Sequence, residues 1–186
     1  QVMVPRYSQE SIESIVTSLV EDKASVLGLD ADEQQRFIGA AIGLTRLGDN
    51  GRSSEANTDM ELRTLACVID VASAIINLLQ EEDDVKQSAR IMIEVTAAVV
   101  LAAKFVLDHS SDKEDGDGDP LYAASSSLSA KLGCSPEAVE ELDSALFSSG
   151  FNPTDDFVET DSAKQNFARI YACSEASHPL MLTGPP

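Results

Sequence analysis

The chain has 186 residues, enough for a domain that buries about two-thirds of its unfolded surface and needs no disulfide or structural metal to fold. Apolar residues make up 43% and aromatic residues 5%, and Trp is absent, which predicts an aliphatic core of packed helices. The formal charge of −19 repels phosphate backbones and anionic lipid surfaces. Direct nucleic-acid binding is therefore disfavoured, whereas a basic protein partner would be attracted.

Two amphipathic helices are predicted at the start of the chain. Ser8 is a suitable N-cap for the first, because apolar residues recur at three- and four-residue spacing over 12–20. Asp30 or Asp32 can cap the second helix, whose apolar stripe runs over 37–47.

Two glycines lie inside the second predicted helix. Gly39 and Gly43 each lower helix stability by roughly 1 kcal/mol relative to alanine. Their four-residue spacing places them on one face. Because they carry no side chain, this face is predicted to let another helix approach closely.

Two long apolar helices, over 59–80 and 83–107, are predicted at the centre of the chain. Apolar residues cover well over half the circumference of the first helix, which is typical of a helix buried on most sides. The acidic run 81–84 is expected to form the turn between them, giving an antiparallel hairpin. Frequent β-branched residues over 91–100 leave a buried strand as the alternative, but length and alanine content favour a helix. The sequence therefore predicts an all-α fold, a six- or seven-helix bundle around a central apolar antiparallel hairpin.

Three interpretations of this hairpin compete: a buried core pair, a membrane span, and a sheltered hairpin that inserts into membranes or opens around a lipid. The stretch 91–107 has 17 residues and two charges, short of the ~20 apolar residues that a bilayer requires. A buried core pair without a transmembrane segment is therefore favoured. Glu94 and Lys104 are expected on a narrow exposed stripe, although a buried Glu94 would be a functional candidate.

The charged, glycine-spaced run 108–119 is the clearest boundary in the chain. Clustered carboxylates on a flexible loop are the ligands that calcium prefers. The run does not fit the EF-hand pattern, because aligning Gly118 with the loop glycine puts Lys113 at the first acidic position. The sequence predicts no metal site, and the weak calcium candidates are Asp112, Asp115, Asp117 and Asp119.

Helix start signals recur after this linker. Asp119–Pro120 and Ser135–Pro136 each read as an N-cap followed by the first helical residue, and a last helix is predicted over 161–173. The predicted division has four parts: a helical bundle with the central hairpin 59–107 (1–107), an acidic linker (108–119), a C-terminal helical subdomain packed on the bundle (120–176) and an extended tail (177–186).

Signals for catalysis or cofactor binding are sparse. Cys67, Cys134 and Cys173 show no metal-binding spacing, and Cys67 is expected in the core; Cys134 and Cys173 could pair, but the reduced state is the simpler prediction. His109 lies in the linker and His178 in the tail. There is no glycine-rich phosphate loop, nucleophile elbow or HExxH motif, so no catalytic residue and no cofactor are predicted.

The sequence favours a non-enzymatic helical interaction or assembly module, a regulator, scaffold or structural component that binds a basic protein partner or itself. The alternative is a helical-bundle carrier of a lipid or another small apolar ligand. The third hypothesis is an enzyme in which carboxylates such as Asp70, Asp84 and Glu94 converge. A cytoplasmic location is expected, whereas a processed N-terminus at Gln1 would instead indicate secretion.

Overall fold

The computed structural model describes residues 8–46, 62–86, 94–107, 125–150 and 160–177. Within these ranges the chain forms seven helices and no strand, which confirms the all-α fold. The helices are α1 (Gln9–Leu27), α2 (Ala31–Thr45), α3 (Leu62–Lys86), α4 (Val95–Leu107), α5 (Ser125–Leu132), α6 (Pro136–Gly150) and α7 (Asp161–Glu175).

The turn between α1 and α2 is set by local capping. As predicted, Ser8 caps α1, with its hydroxyl accepting a hydrogen bond from the backbone N–H of Ser11. Gly28 ends α1 with a φ of 66°, a left-handed conformation that glycine adopts without strain. Asp30 and Glu33 then form a capping box that starts α2. These caps bring the two amphipathic helices side by side.

The centre of the fold is the pair α3 and α4. The two helices pack on each other. Helix α3 also contacts α1, α2, α6 and α7, and α4 also contacts α2, α5 and α6. Every residue of 95–103 is buried on α4, and a single core cluster joins these residues to all the other helices. An apolar helix needs neighbours on all sides in water, and here the chain supplies them itself.

One described segment, Leu62–Gln80 of α3, has the length and composition of a membrane-crossing helix. It has 19 residues and a mean hydropathy of 1.8, and 61% of it is buried inside the protein. A core helix of a soluble protein meets the same criterion, so length and composition do not distinguish the two.

The predicted turn of the hairpin is wrong. Residues 81–84 lie inside α3, which continues to Lys86, and α4 begins at Val95. Neither glycine nor proline occurs between 62 and 86, and glutamate is a good helix former, so nothing local ends the helix at the acidic run. The strand alternative is excluded for 95–100, which is helical.

The C-terminal helices begin and end largely where the sequence predicts. Gly133 ends α5 with a φ of 73°, and the Ser135 hydroxyl accepts a hydrogen bond from the N–H of Ala138 at the start of α6. Thr160 caps α7. The start signal Asp119–Pro120 and nearly all of the predicted tail lie outside the described residues.

The predicted close approach at the α2 glycines occurs at one of the two. A β-carbon on Gly43 would overlap the Cδ2 atom of Leu132, so α5 packs directly on the α2 backbone there. Gly39 is exposed and has open space around it.

Candidate functional site

Helix α6 separates its residues into an anchoring side and a charged side. Leu142, Leu146 and Phe147 are buried. Three exposed carboxylates share the opposite side at positions i, i+3 and i+4, and we call them the acidic face of α6: Glu137, Glu140 and Glu141. The exposed Ser144 and Ser148 continue this side toward the end of the helix.

The acidic face forms no ion pair within the described residues. Helix α6 contains no Lys or Arg, and among the described residues no basic side chain forms an ion pair with the face. The ion pairs in the described ranges all involve acidic residues of the N-terminal half of the chain. They are Lys23–Asp70, Arg36–Asp32 and Arg46–Glu13. Helix α6 thus carries three exposed carboxylates and no ion pair within the described residues.

Aromatic packing against α7 fixes the position of the acidic face. The rings of Phe147 and Phe167 meet edge to face with centroids 5.8 Å apart, and the Lys164 ammonium lies 5.7 Å from the Phe147 centroid. At the end of α6, the ring of Tyr171 lies against the bare backbone of Gly150. The carboxylates thus project from a helix that is held firmly on one side.

Asp143 lies on the buried side of α6, where helical spacing places it between Leu146 and Phe147, and its side chain is half-buried. Its Oδ1 atom is buried and accepts no hydrogen bond from the described residues. Burial raises the pKa of the Asp143 carboxyl, and the charge of Lys104 on α4 partly opposes this. Lys104 is half-buried, so the expectation that it lies on an exposed stripe is wrong.

Glu94, directly before α4, is also half-buried rather than exposed as expected. Its charge acts on Cys134, which lies in the turn between α5 and α6. Burial raises the pKa of the Cys134 thiol to about 11, and the charge of Glu94 adds to the effect. The thiol donates a hydrogen bond to the backbone carbonyl oxygen of Ser135 over 3.4 Å. The thiol therefore stays protonated at neutral pH. A protonated, buried thiol is a poor nucleophile.

Cys67, Cys134 and Cys173 are free cysteines in the structure, and the reduced state stays a prediction. Cys173 is buried, and burial raises its pKa against the opposing charge of Arg169. Cys67 is half-buried, not a full core residue as predicted. These environments favour inert thiols over reactive ones.

The weak calcium candidates Asp112, Asp115, Asp117 and Asp119 lie outside the described residues. His109 and His178 do as well, and so does the side chain of Asp84. Within the described ranges, no group of three or more His, Cys, Asp or Glu side chains is arranged to hold a metal ion. Asp70 pairs with Lys23 on α1 and Glu94 faces Cys134, so these two carboxylates have different partners.

Neither Asp143 nor the acidic face is among the residues predicted from the sequence. The signal was nonetheless present in the helical spacing of α6. Residues 142, 146 and 147 define the buried side, which leaves 137, 140 and 141 outward and places 143 among the buried positions.

Comparison of the chain with known protein families, with curated proteins and with solved structures gives no match.

Proposed function

We propose that this protein is a non-enzymatic helical interaction module that binds a basic segment of a protein partner on the acidic face of α6. The observation that carries the proposal is the concentration of three exposed carboxylates on one anchored helix without a basic residue of its own. The net charge of −19 adds a long-range attraction for a basic partner.

The spacing of the three carboxylates suits a basic segment whose positive side chains are spaced to match them. Side chains three and four residues apart on a helix are neighbours, roughly 5–6 Å between β-carbons. This separation is shorter than the screening length of about 8 Å at physiological ionic strength, so the three charges act together. Such charges chiefly raise the association rate and fix the orientation of the partner.

The surroundings of the other titratable groups support binding rather than catalysis. Asp70 forms an ion pair with Lys23 between α1 and α3. Cys134 and Cys173 are buried thiols with raised pKa values. These groups contribute to contacts between helices, whereas the side chains of the acidic face are exposed and form no ion pair within the described residues.

A basic partner is supported better than a second copy of the chain. Self-association would require apolar surface that one copy leaves uncovered, yet α3 and α4 are covered by the other helices. In the described residues the only exposed large apolar side chain is Val26. Two copies, each carrying −19, would also repel one another.

Fluorescence anisotropy with a labelled lysine- and arginine-rich helical peptide tests the proposal. The variant combines Glu137→Gln, Glu140→Gln and Glu141→Gln. The matched control removes the same charge from exposed positions of α1 by Glu10→Gln, Glu21→Gln and Asp22→Asn.

We expect the α6 variant to bind about tenfold more weakly, since each exposed ion pair contributes up to about 0.5 kcal/mol. The α1 variant should change the affinity by about twofold or less. Equal losses in the two variants would show that only net charge matters, and would contradict a site on α6.

A further inference from the structure

The contact between α4 and α6 contains a carboxylate in an unfavourable position. Asp143 directly follows the buried Leu142 and lies one turn before the buried Phe147. Its Oδ1 atom has no access to solvent and no hydrogen-bond donor in the described residues. An ionised carboxylate in this position loses hydration without full compensation, whereas a protonated carboxyl has no charge to desolvate.

The charge that acts on this carboxylate comes from α4. Helix α6 packs on α3, α4, α5 and α7. The structure describes eight charged residues on or next to those helices. They are Arg63 and Asp70 on α3, Glu94 just before α4, Lys104 on α4, Lys131 on α5, and Lys164, Arg169 and Glu175 on α7. Among them, Lys104 is the residue whose charge acts on Asp143, and it stabilises the ionised form. The attraction of Lys104 is smaller than the cost of desolvating the ionised carboxylate, so the net effect favours the protonated form. Protonation of Asp143 therefore stabilises the packing of α6 on α4.

We infer that Asp143 makes the attachment of α6 to the rest of the bundle pH-sensitive: acidification neutralises its carboxyl and holds α6 more tightly, and neutral pH loosens it. The raised pKa of the carboxyl agrees with this direction. The inference does not depend on the proposed function and holds whether or not α6 binds a partner.

Hydrogen exchange of the full chain, followed by mass spectrometry between pH 4 and 7, tests the inference. Exchange in α6 peptides is corrected for the intrinsic chemical rate and divided by that of α1 peptides. In the unmodified protein, the relative exchange of α6 should slow by about fivefold on acidification, because protonation removes a buried and incompletely compensated charge, whose cost is roughly that factor or more. In Asp143→Asn, which is uncharged at every pH, α6 exchange should be slow and independent of pH.

Two further variants keep the test decisive. Glu141→Gln removes an exposed charge from the same helix and should retain the pH dependence of the unmodified protein. Lys104→Gln keeps Asp143 but removes the charge that stabilises its ionised form, so the transition should move to higher pH. The inference is overturned if Asp143→Asn retains the pH dependence or if Glu141→Gln abolishes it. Should Asp143→Asn fail to fold, an unmoved transition in Lys104→Gln overturns it independently.

Discussion

The ammonium of Lys23 lies 2.7 Å from Oδ1 of Asp70 and joins α1 to the largely apolar α3. Both side chains are more than 40% exposed, so water and salt screen the pair. We expect Asp70→Asn to lower the free energy of unfolding by less than about 1 kcal/mol. Urea denaturation at low and at high salt measures this. The difference between the variant and the unmodified protein should shrink at high salt, and a loss of several kcal/mol would mean that Asp70 has another structural role.

The contact between Glu94 and Cys134 predicts the reactivity of the thiol. Removing the charge by Glu94→Gln should lower the pKa of Cys134 from about 11, because the carboxylate no longer repels the thiolate. Burial remains, so the pKa should stay above its ordinary value. Alkylation by iodoacetamide between pH 8 and 11, followed at Cys134 by mass spectrometry, should then begin at lower pH in the variant.

The same thiol makes stability depend on alkaline pH. Its pKa in the folded protein is higher than in the unfolded chain, so its contribution is fully present below the unfolded pKa and is lost as pH rises through about 11. Cys134→Ala should therefore lose less stability than the unmodified protein between pH 9 and 11. Glu137→Gln, on the exposed face of α6, serves as the control and should follow the unmodified protein. Identical alkaline profiles for Cys134→Ala and the unmodified protein would contradict the assignment.

Local signals predicted the ends of several helices. Ser8, Asp30, Gly133 and Ser135 each stand at the helix boundary that their residue type favours, because a cap depends on only a few neighbouring atoms. The acidic run 81–84 was wrongly predicted as a turn from its charge alone. It contains no glycine or proline that would end the helix. Glutamate is a good helix former, and α3 continues through the run to Lys86.

The environments of the charged residues were harder to predict. Glu94 and Lys104 lie on an apolar stretch, and periodicity alone favoured exposure. Their half-buried positions result from α5, α6 and the intervening turn, which bring Cys134 and Asp143 against α4. Such contacts between residues distant in sequence depend on how helices cross, which sequence spacing does not determine.

Gly39 offers a test of helix propensity without packing. It lies in the interior of α2, is exposed and has no atom near the position of an added β-carbon. Gly39→Ala should therefore raise the free energy of unfolding by about 0.5–1 kcal/mol. Thermal and urea denaturation measure the change. A destabilised variant would indicate that this exposed position has a contact outside the described residues.

Gly150, at the end of α6, should respond in the opposite direction. An added β-carbon would lie 2.5 Å from two ring atoms of Tyr171. Because this ring stacks on Phe167, with centroids 6.1 Å apart, it cannot turn aside freely. Gly150→Ala should therefore lower the free energy of unfolding by about 1–3 kcal/mol, the usual cost of overpacking.

A double-mutant cycle isolates the cause of this loss. In a Tyr171→Leu background the ring is absent, so the added methyl group should cost much less, and the coupling between the two positions should exceed about 0.5 kcal/mol. If Gly150→Ala is equally costly in both backgrounds, the loss arises from the backbone at the end of α6 and not from the Tyr171 ring. The cycle thus distinguishes a steric contact between α6 and α7 from a local requirement for glycine.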